Sequence, residues 1–201
     1  MTLSEMITAT RALVLDGNGE RFTDAELTVF LNRGMQEFAA QTRCYADTIS
    51  FAYTPDTENT FYTDNSVLRN GVISVEDSDG NIYAEIKENE IPDIERHDLG
   101  YNTCRWYKSG QGLYIWPELD AADTLSVRAY VLPENLSDED DEPAVEAEYH
   151  MAPVWYTAYM CQSAEGNINS AMIAKREFDG LCGKYGAGRT ARIKFGSPRV
   201  R

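Results

Sequence analysis

The residue types that most often bind metals or act as nucleophiles are sparse in this sequence. It contains two histidines, His97 and His150, and neither has the HExxH spacing of a zinc site or a cysteine nearby. The four cysteines are widely spaced and form no CxxC pair: Cys44, Cys104, Cys161 and Cys182. No GxSxG motif marks a nucleophilic serine. The sequence therefore predicts no metal, no cofactor and no catalytic residue, and free thiols in a reducing cytosol are expected.

Carboxylates are abundant and include one continuous run, Asp138 to Glu142, within the segment "ENLSDEDDEPAVEAE". A calcium-binding EF-hand loop needs ligands at fixed spacings and a glycine at its sixth position, and this run has neither. No pair of carboxylates is set apart as a general acid and base. We interpret the run as a solvated hinge, while a hydrolase with a pocket of converging acidic groups stays open as an alternative.

The end of the chain, "RTARIKFGSPRVR", reverses the charge of the rest. Cations and apolar residues interleave there: Arg189, Arg192, Ile193, Lys194, Phe195, Arg199, Val200 and Arg201. Glycine, serine and proline at 196–198 predict an extended arm that begins after a glycine-terminated helix. Such an arm suits β-augmentation or insertion into a groove of a partner, with ordering on contact. A disordered solubilising end is the alternative.

The chain as a whole is acidic, with 18 basic and 33 acidic residues and a formal net charge of -15. All the acidic residues precede position 189, so most of the surface is expected to repel nucleic acid. A protein that grips DNA through the basic tail remains an alternative, and its binding would be salt-sensitive and lost on tail deletion. No apolar run approaches the about 18 residues of a membrane span, and residues 1–15 do not resemble a secretory signal.

Aromatic residues crowd the segment "CRWYKSGQGLYIWPEL", which contains Trp106, Tyr107, Tyr114 and Trp116. Proteins that stack single-stranded bases on aromatic rings also need a basic groove, and this segment has only Arg105 and Lys108. We therefore interpret the four aromatic residues as sheet core or as a contact with another protein.

Two amphipathic helices are predicted near the N-terminus. The segments "TLSEMITATRALVLD" and "TDAELTVFLNRGMQEFAAQTR" each place apolar residues on one helical face. Each begins with a predicted capping box, Thr2 with Glu5 and Thr23 with Glu26. Gly34 lies on the apolar stripe of the second helix, which indicates close approach of a neighbouring backbone.

From residue 46 to residue 133 the sequence has the period of β-strands. The segments "DTISFAYTP" and "DTLSVRAYVLP" alternate apolar and polar residues. Two hairpins are predicted, one turning at residues 79–81 and one at residues 109–112. The sequence thus predicts an antiparallel region of about five or six strands, with a short helix or an irregular loop at residues 87–103.

Helical periodicity returns after the acidic run. The segment "EAEYHMAPVWYTAYMCQSA" predicts a third helix, which either starts near Met151 with Pro153 in its first turn or is kinked by that proline. The segment "GNINSAMIAKREFDGLCGKYG" predicts a fourth helix that ends at Gly186 and Gly188. The predicted apolar stripe of this helix is Ile168, Met172, Ala174, Phe178, Leu181, Cys182 and Tyr185.

The predicted fold class is α+β: a four-helix bundle from the N- and C-terminal helix pairs, with an inserted antiparallel β domain and an extended C-terminal tail. Each helix pair has an apolar stripe that it cannot bury alone, so the two pairs are expected to pack on each other. The predicted boundaries are 1–45 plus 143–188 for the discontinuous bundle, 46–135 for the β insertion and 189–201 for the basic arm.

This layout resembles the head-to-tail adaptor (head-completion or connector) proteins of tailed bacteriophages. The resemblance rests on the short first helix, "FTDAELTVFLNRGMQEFAAQTR", "GQGLYIWPEL", "LSVRAYVLP", "ENLSDEDDEPAVEAEYHMAPVWYTAYMCQSA", and a last helix with "AKREFDGLCGKY" before a basic tail. It covers most of the chain. Pro153 inside the third helix departs from the usual pattern.

The resemblance implies a non-enzymatic structural adaptor in the neck of the virion, assembled in the host cytoplasm. It implies a homo-oligomeric ring, commonly of about twelve copies, bound beneath the portal protein and facing a tail tube or nozzle protein. DNA would pass through the channel without specific binding, and an acidic wall suits that role. The arm would bind the portal through Arg189, Arg192, Ile193, Lys194, Phe195, Arg199 and Arg201. Another tail component of the virion is the remaining alternative.

Overall fold

The computed structural model describes residues 1–55, 61, 66–91, 104–117 and 119–195, with the backbone alone at residues 69 and 188–195. The described residues form four α-helices and six β-strands, which confirms the predicted α+β class. The helices are α1 (Leu3–Val14), α2 (Asp24–Thr42), α3 (Met151–Ala164) and α4 (Ile168–Phe195). The strands are β1 (Ala46–Tyr53), β2 (Val67–Glu76), β3 (Ile82–Glu85), β4 (Arg105–Ser109), β5 (Gly112–Trp116) and β6 (Asp123–Val131).

The chain divides into two compact units. The helical unit contains the described residues of Met1–Tyr45 and Pro133–Arg201, and the sheet unit contains those of Ala46–Leu132. None of the helices in the described ranges combines the length and the apolar character that crossing a lipid bilayer requires.

Both N-terminal helices begin at the capping boxes that the sequence predicts. Thr23 Oγ1 accepts a hydrogen bond from the backbone N–H of Glu26 at 3.3 Å, and the Glu26 carboxylate accepts one from the N–H of Thr23 at 2.9 Å. Thr2 and Glu5 form the same reciprocal pair at 3.3 and 3.1 Å. These bonds satisfy N–H groups that the start of a helix leaves without an internal partner, so local sequence defines where α1 and α2 begin.

The start of α3 confirms the first of the two alternatives for Pro153. The helix begins at Met151, so the proline lies in its first turn, where a missing N–H removes no helical hydrogen bond. Gly34 of α2 lies against this turn. A Cβ atom at position 34 would stand 3.0 Å from the Cα atom of Pro153 and 3.1 Å from Cβ of Tyr156. The predicted close approach at Gly34 is therefore confirmed, and α3 is the approaching helix.

Helices from the two ends of the sequence share buried contacts in the helical unit. Val154 of α3 packs in one apolar cluster with Leu31 of α2. Tyr156 of α3 packs in another with Phe38 of α2 and Phe178 of α4. The ring centre of Phe178 lies 5.3 Å from that of Tyr156 and 6.5 Å from that of Phe38. Since α3 also contacts α1, it is the helix against which the other three pack.

The six described strands form one sheet in the order β1-β6-β2-β3-β4-β5. Both predicted hairpins are confirmed: β2 pairs with β3 across a turn at residues 77–81, and β4 pairs with β5 across residues 110–111. Gly80 and Gly110 have φ angles of 86° and 58°, a conformation that glycine adopts without steric cost.

The prediction of a wholly antiparallel β region is wrong at one pairing. Strands β3 and β4 run parallel, with Ala84 opposite Arg105. A parallel pair needs a crossover of about a dozen or more residues, and residues 86–104 are long enough to provide one. The alternation of apolar residues within two hairpins does not determine how the hairpins join, so the sequence pattern missed this orientation. A short 3-10 helix, Glu88–Glu90, lies in the crossover, and residues 92–103 lie outside the described part of the chain.

Alternate residues of the strands form one apolar core in the sheet unit. Leu125 and Val127 of β6 are fully buried in it, as the sequence predicts. On the β4–β5 hairpin Trp106 is buried in this core, whereas Tyr107 and Tyr114 stack on each other with ring centres 5.4 Å apart. Trp106 therefore belongs to the sheet core, as predicted, and a contact of the tyrosines with another protein stays a prediction.

The fourth helix is longer than predicted. α4 continues through Gly186 and Gly188 to Phe195, so the extended conformation predicted for residues 189–195 is wrong. A glycine costs a helix about 1 kcal/mol relative to alanine, which does not by itself end a helix, and good helix formers follow here. Residues 196–201, the rest of the predicted arm, lie outside the described residues.

Candidate interaction surfaces of the helical unit

α4 contains every described residue of the predicted portal-binding set. Its last two turns include the backbone of Arg189, Arg192, Ile193, Lys194 and Phe195, and the described chain stops short of Arg199 and Arg201. Residues 186–195, which we call the basic helix end, contain three cations and no carboxylate. Because a helix advances about 1.5 Å per residue, this end reaches about 15 Å beyond Tyr185.

Aromatic packing fixes the part of α4 that precedes this end. Phe178 is fully buried between α2 and α3. Two turns later, Tyr185 packs edge-on against Phe38 of α2 at 5.8 Å and against Tyr149 at 5.0 Å, both measured between ring centres. Aromatic pairs of this geometry contribute about 0.5–1.5 kcal/mol each beyond the burial of area. The basic helix end therefore extends from a segment that the core of the unit holds in place.

The predicted apolar stripe of α4 is partly wrong. Ala174 and Phe178 are buried as predicted, but Ile168 and Met172 are 69% and 67% exposed. The buried residue one turn before Ala174 is Ala171. A methionine gives a stronger hydrophobic signal than a neighbouring alanine, although the alanine is the residue that fits against the adjacent helix. The sequence pattern therefore predicted the wrong buried face for the first turns of α4.

Ile168 and Met172 line an open groove between α3 and α4, with a volume of about 410 Å³. Tyr159 of α3 and Ala171 of α4 form the rest of its apolar wall. Four polar or charged residues complete the lining: Ser163, Lys175, Arg176 and Asp179. Lys175 is paired with Asp179 one turn along the helix, whereas Arg176 is exposed on the rim. We call these eight residues the apolar groove.

Another exposed apolar residue lies on the solvent-facing side of α2. Val29 is 64% exposed, and Ala25 and Glu26, one turn before it, are exposed as well. Asp24 begins the helix and pairs with Arg11 at 2.6 Å. Hydrogen bonds from the backbone and hydroxyl of the capping threonine lower the pKa of Glu26, so its carboxylate is ionised at neutral pH. We call Asp24, Ala25, Glu26 and Val29 the α2 ridge.

The predicted acidic hinge, residues 134–148, has exposed carboxylates but is tied to the start of α1. The backbone carbonyl of Asp141 accepts a hydrogen bond from the N–H of Leu3 at 2.8 Å, and that of Glu139 accepts one from Ser4 at 3.1 Å. These N–H groups belong to the first turn of α1 and have no partner within the helix. The segment therefore caps a helix as well as connecting the two units.

The same segment is fixed to α2 by a reciprocal amide contact. Asn32 donates from Nδ2 to the carbonyl of Leu136 at 3.0 Å and accepts from its N–H at 2.8 Å. The Asp141 carboxylate accepts from the N–H groups of Ser137 and Asp138 at 2.7 and 2.9 Å, and these bonds lower its pKa although burial opposes the shift. The segment thus has a defined conformation at its centre.

A buried carboxylate organises the loop between α1 and α2. The side chain of Asp16 is 3% exposed, accepts hydrogen bonds from the N–H groups of residues 20–22 at 3.1–3.2 Å, and pairs with Arg11 at 3.1 Å. Burial opposes its ionisation, but these donors together hold the pKa of Asp16 below the ordinary value of 3.8. Arg21 of the loop pairs with Glu165 at 2.6 Å and so links the loop to the α3–α4 turn. The sequence signals a turn here, but not the buried acid.

Chemically reactive groups are not assembled in the described residues. No group of His, Cys, Asp and Glu side chains among them has the arrangement of a metal site. Burial raises the pKa values of the Cys161 and Cys182 thiols to about 12, so both are protonated and poorly nucleophilic at neutral pH. His150 is buried, with Nε2 2.8 Å from the carbonyl oxygen of Val145, and His97 lies outside the described residues.

The family model of the SU10 adaptor protein matches the chain over residues 1–201. The match spans the helical unit and the sheet unit, so it bears on the whole chain. No curated protein matches the chain.

Proposed function

The chain belongs to the SU10 adaptor protein family, and we propose that it forms a ring beneath the portal of a tailed bacteriophage and joins the head to the tail. The family is one of phage head–tail adaptors, which confirms the resemblance seen in the sequence. The protein is therefore a structural component of the virion that associates with other neck proteins. The role of the family is structural and not enzymatic.

We infer the finer features of this role from the charge and the fold. The ring is homo-oligomeric, of about twelve copies, and contacts the portal on one side and a tail tube or nozzle protein on the other. It occupies the virion neck and assembles in the host cytoplasm. Each copy carries a net charge of -15. A channel wall of such copies has few cations to replace the counterions of DNA, so DNA passes through the channel and does not bind.

We also propose that the four helices form one bundle, built from residues 1–45 and 143–188. In this arrangement residues 46–135 are an insertion, and residues 189–201 are an arm that reaches a neighbour. The buried contacts among Phe38, Tyr156 and Phe178 support the bundle, since these residues come from α2, α3 and α4.

The observation that carries the portal-docking proposal is the basic helix end. It is a cation-rich continuation of a helix whose preceding part, up to Tyr185, is packed in the core. A helical segment that leaves a fixed anchor loses less conformational entropy on binding than a free arm does, because its backbone is already ordered. Cations on an otherwise acidic protein favour an acidic docking surface on the portal.

Charge neutralisation tests this docking. The triple variant Arg189→Gln, Arg192→Gln, Lys194→Gln removes three cations from the basic helix end. The matched control Arg33→Gln, Lys87→Gln, Arg128→Gln removes three exposed cations elsewhere. In co-sedimentation with purified portal, the first variant is expected to bind about 10-fold or more weakly, and the control within about 2-fold of wild type. Equal binding by all three proteins would contradict docking through these charges.

A tail that grips DNA is the second candidate function, because the same cations carry the charge that attracts phosphate. It predicts that duplex DNA binds the wild-type protein, that binding weakens steeply with salt, and that the triple variant loses it. The portal-docking proposal predicts portal binding with no such DNA complex at physiological salt. A DNA-binding titration at two salt concentrations separates the two functions.

A further inference from the structure

We propose that the apolar groove of one copy receives the α2 ridge of a second copy, and that this head-to-tail contact is the lateral interface of the ring. The inference rests on the proposed ring and adds which two surfaces meet. It assigns the groove an occupant of defined chemistry: an apolar side chain flanked by carboxylates.

Exposure is the first reason to expect an occupant. Ile168 and Met172 lie one turn apart on α4, and each leaves about two thirds of its surface in water. Together with Tyr159 and Ala171 they line a concave surface of about 410 Å³. Single exposed apolar side chains are common on soluble proteins, but a concave apolar surface marks a binding site more often than chance.

The shape and position of the α2 ridge are the second reason. Val29 lies on the side of α2 opposite the buried Leu27 and Leu31, so it points away from the core of its own unit. The groove lies between α3 and α4. The two surfaces are therefore different parts of the protomer, and neither covers the other. A contact between two different surfaces is heterologous, and repetition of a heterologous contact closes a ring when the rotation allows it.

Charge complementarity selects a second copy as the occupant. Arg176 is exposed on the rim of the groove, and Glu26 is exposed and ionised beside Val29. Seating Val29 against Met172 brings opposite charges to the edge of the contact, where an arginine–carboxylate hydrogen bond forms readily. A nucleic acid offers phosphate but no apolar side chain to fill the groove, whereas the α2 ridge offers both features.

Two single substitutions test the head-to-tail contact by complementation. Met172→Glu disables the groove but leaves the ridge intact, and Val29→Glu disables the ridge but leaves the groove intact. Both positions are more than 60% exposed, so the substitutions should leave the fold unchanged, as circular dichroism can verify. Ile82→Glu, at an equally exposed site in the sheet unit, is the matched control.

Sedimentation velocity up to about 1 mM protein detects contacts as weak as a millimolar Kd. Wild type and Ile82→Glu are expected to self-associate with concentration. Each of Met172→Glu and Val29→Glu alone should associate about 10-fold or more weakly, because an unpaired carboxylate would be buried in the contact. An equimolar mixture of the two variants should form a one-to-one dimer and nothing larger, since only one productive interface remains.

Three outcomes overturn the inference: a monomeric wild type throughout the concentration range, variants that associate like wild type, or a mixture that gives no dimer. A photo-crosslinking amino acid at position 172 gives an independent readout, because its crosslinks should map to residues 24–33 of a second copy. Crosslinks that map elsewhere contradict the pairing. Portal binding by the monomeric variants separates a failure of this contact from a failure of the adaptor role, since docking through the basic helix end does not require it.

Discussion

The two parts of α4 differ in how they are held. Up to Tyr185, the helix is fixed by aromatic contacts with α2 and α3, with Phe178 fully buried. From Gly186 to Phe195 the backbone continues as helix, and the sequence changes to cations interleaved with small and apolar residues, with no carboxylate. The first part is therefore determined by the core of its own unit, whereas the second part has a composition suited to a partner.

This difference indicates that one helix serves two purposes. Substitutions in the anchored part should change the stability of the protein, and those in the basic helix end should change its binding. The apolar groove lies on the anchored part, so lateral association should depend on a rigid surface. Portal docking should depend on charge.

The largest expected effect is the removal of the aromatic anchor. Phe178→Ala should destabilise the helical unit by about 3–5 kcal/mol, because a fully buried phenylalanine leaves a cavity that neighbours fill only in part. Urea denaturation measures the change in the free energy of unfolding. Glu177→Ala, at the exposed neighbouring position, should change it by less than about 0.5 kcal/mol. Similar small effects at both positions would show that α4 is not anchored here.

The next effect concerns Asp16, which fixes the loop that Arg21 ties to the α3–α4 turn. Its pKa in the folded state is below the ordinary value of 3.8, so the folded state binds this proton more weakly than the unfolded chain does. The stabilisation is therefore present above pH 3.8 and is lost as the pH falls through the lower folded-state pKa. Asp16→Asn should lower the thermal midpoint at neutral pH and reduce its further loss on acidification.

Measuring the thermal midpoint as a function of pH for wild type and for Asp16→Asn isolates the contribution of Asp16. The pKa values of Glu26, Asp77 and Asp141 are also lowered, so wild type retains other contributions to its acid sensitivity. The difference in slope between wild type and Asp16→Asn is the informative quantity. Parallel profiles would show that Asp16 does not couple to folding.

The smallest expected effects come from replacing two glycines of the helices with alanine. One glycine is packed against a neighbouring helix, and the other has open space around it. Gly34→Ala places a Cβ atom 3.0 Å from the backbone of Pro153, so crowding outweighs the gain in helix propensity and the protein loses about 1 kcal/mol. Gly186→Ala meets no atom within 4 Å and should stabilise the helix by about 0.4–1 kcal/mol. Thermal denaturation of both variants gives the two signs. No gain at position 186 would argue that the helix does not persist there.

Local sequence signals predicted the parts of the fold that depend on neighbouring residues. The capping box of Thr23 and Glu26 defines the start of α2, and the hairpin turns at Gly80 and Gly110 follow from turn-forming residues. Gly34 allowed a correct tertiary prediction, because a glycine on the apolar stripe of a helix leaves room for a neighbouring backbone to approach.

The features that the sequence did not reveal depend on distant contacts. Strands β3 and β4 pair in parallel. The alternation of apolar and polar residues in the two hairpins is the same whether these strands pair parallel or antiparallel, so it does not predict the orientation. The burial of Ala171 in place of Met172, and hence the apolar groove, depends on how closely α3 approaches. The buried acid Asp16 acquires its donors from a loop whose sequence indicates only a turn. The portal-binding residues remain a prediction from charge and spacing.

Removal of residues 189–201 tests the division of α4 most directly, with stability and portal binding measured on the same protein. We expect the truncated protein to unfold at the same urea concentration as wild type, because the anchoring contacts of Phe178 and Tyr185 precede the deletion. We expect it to lose co-sedimentation with the portal. Unchanged portal affinity, or a truncated protein that no longer folds, would contradict the assignment of one part of the helix to the core and the other to the partner.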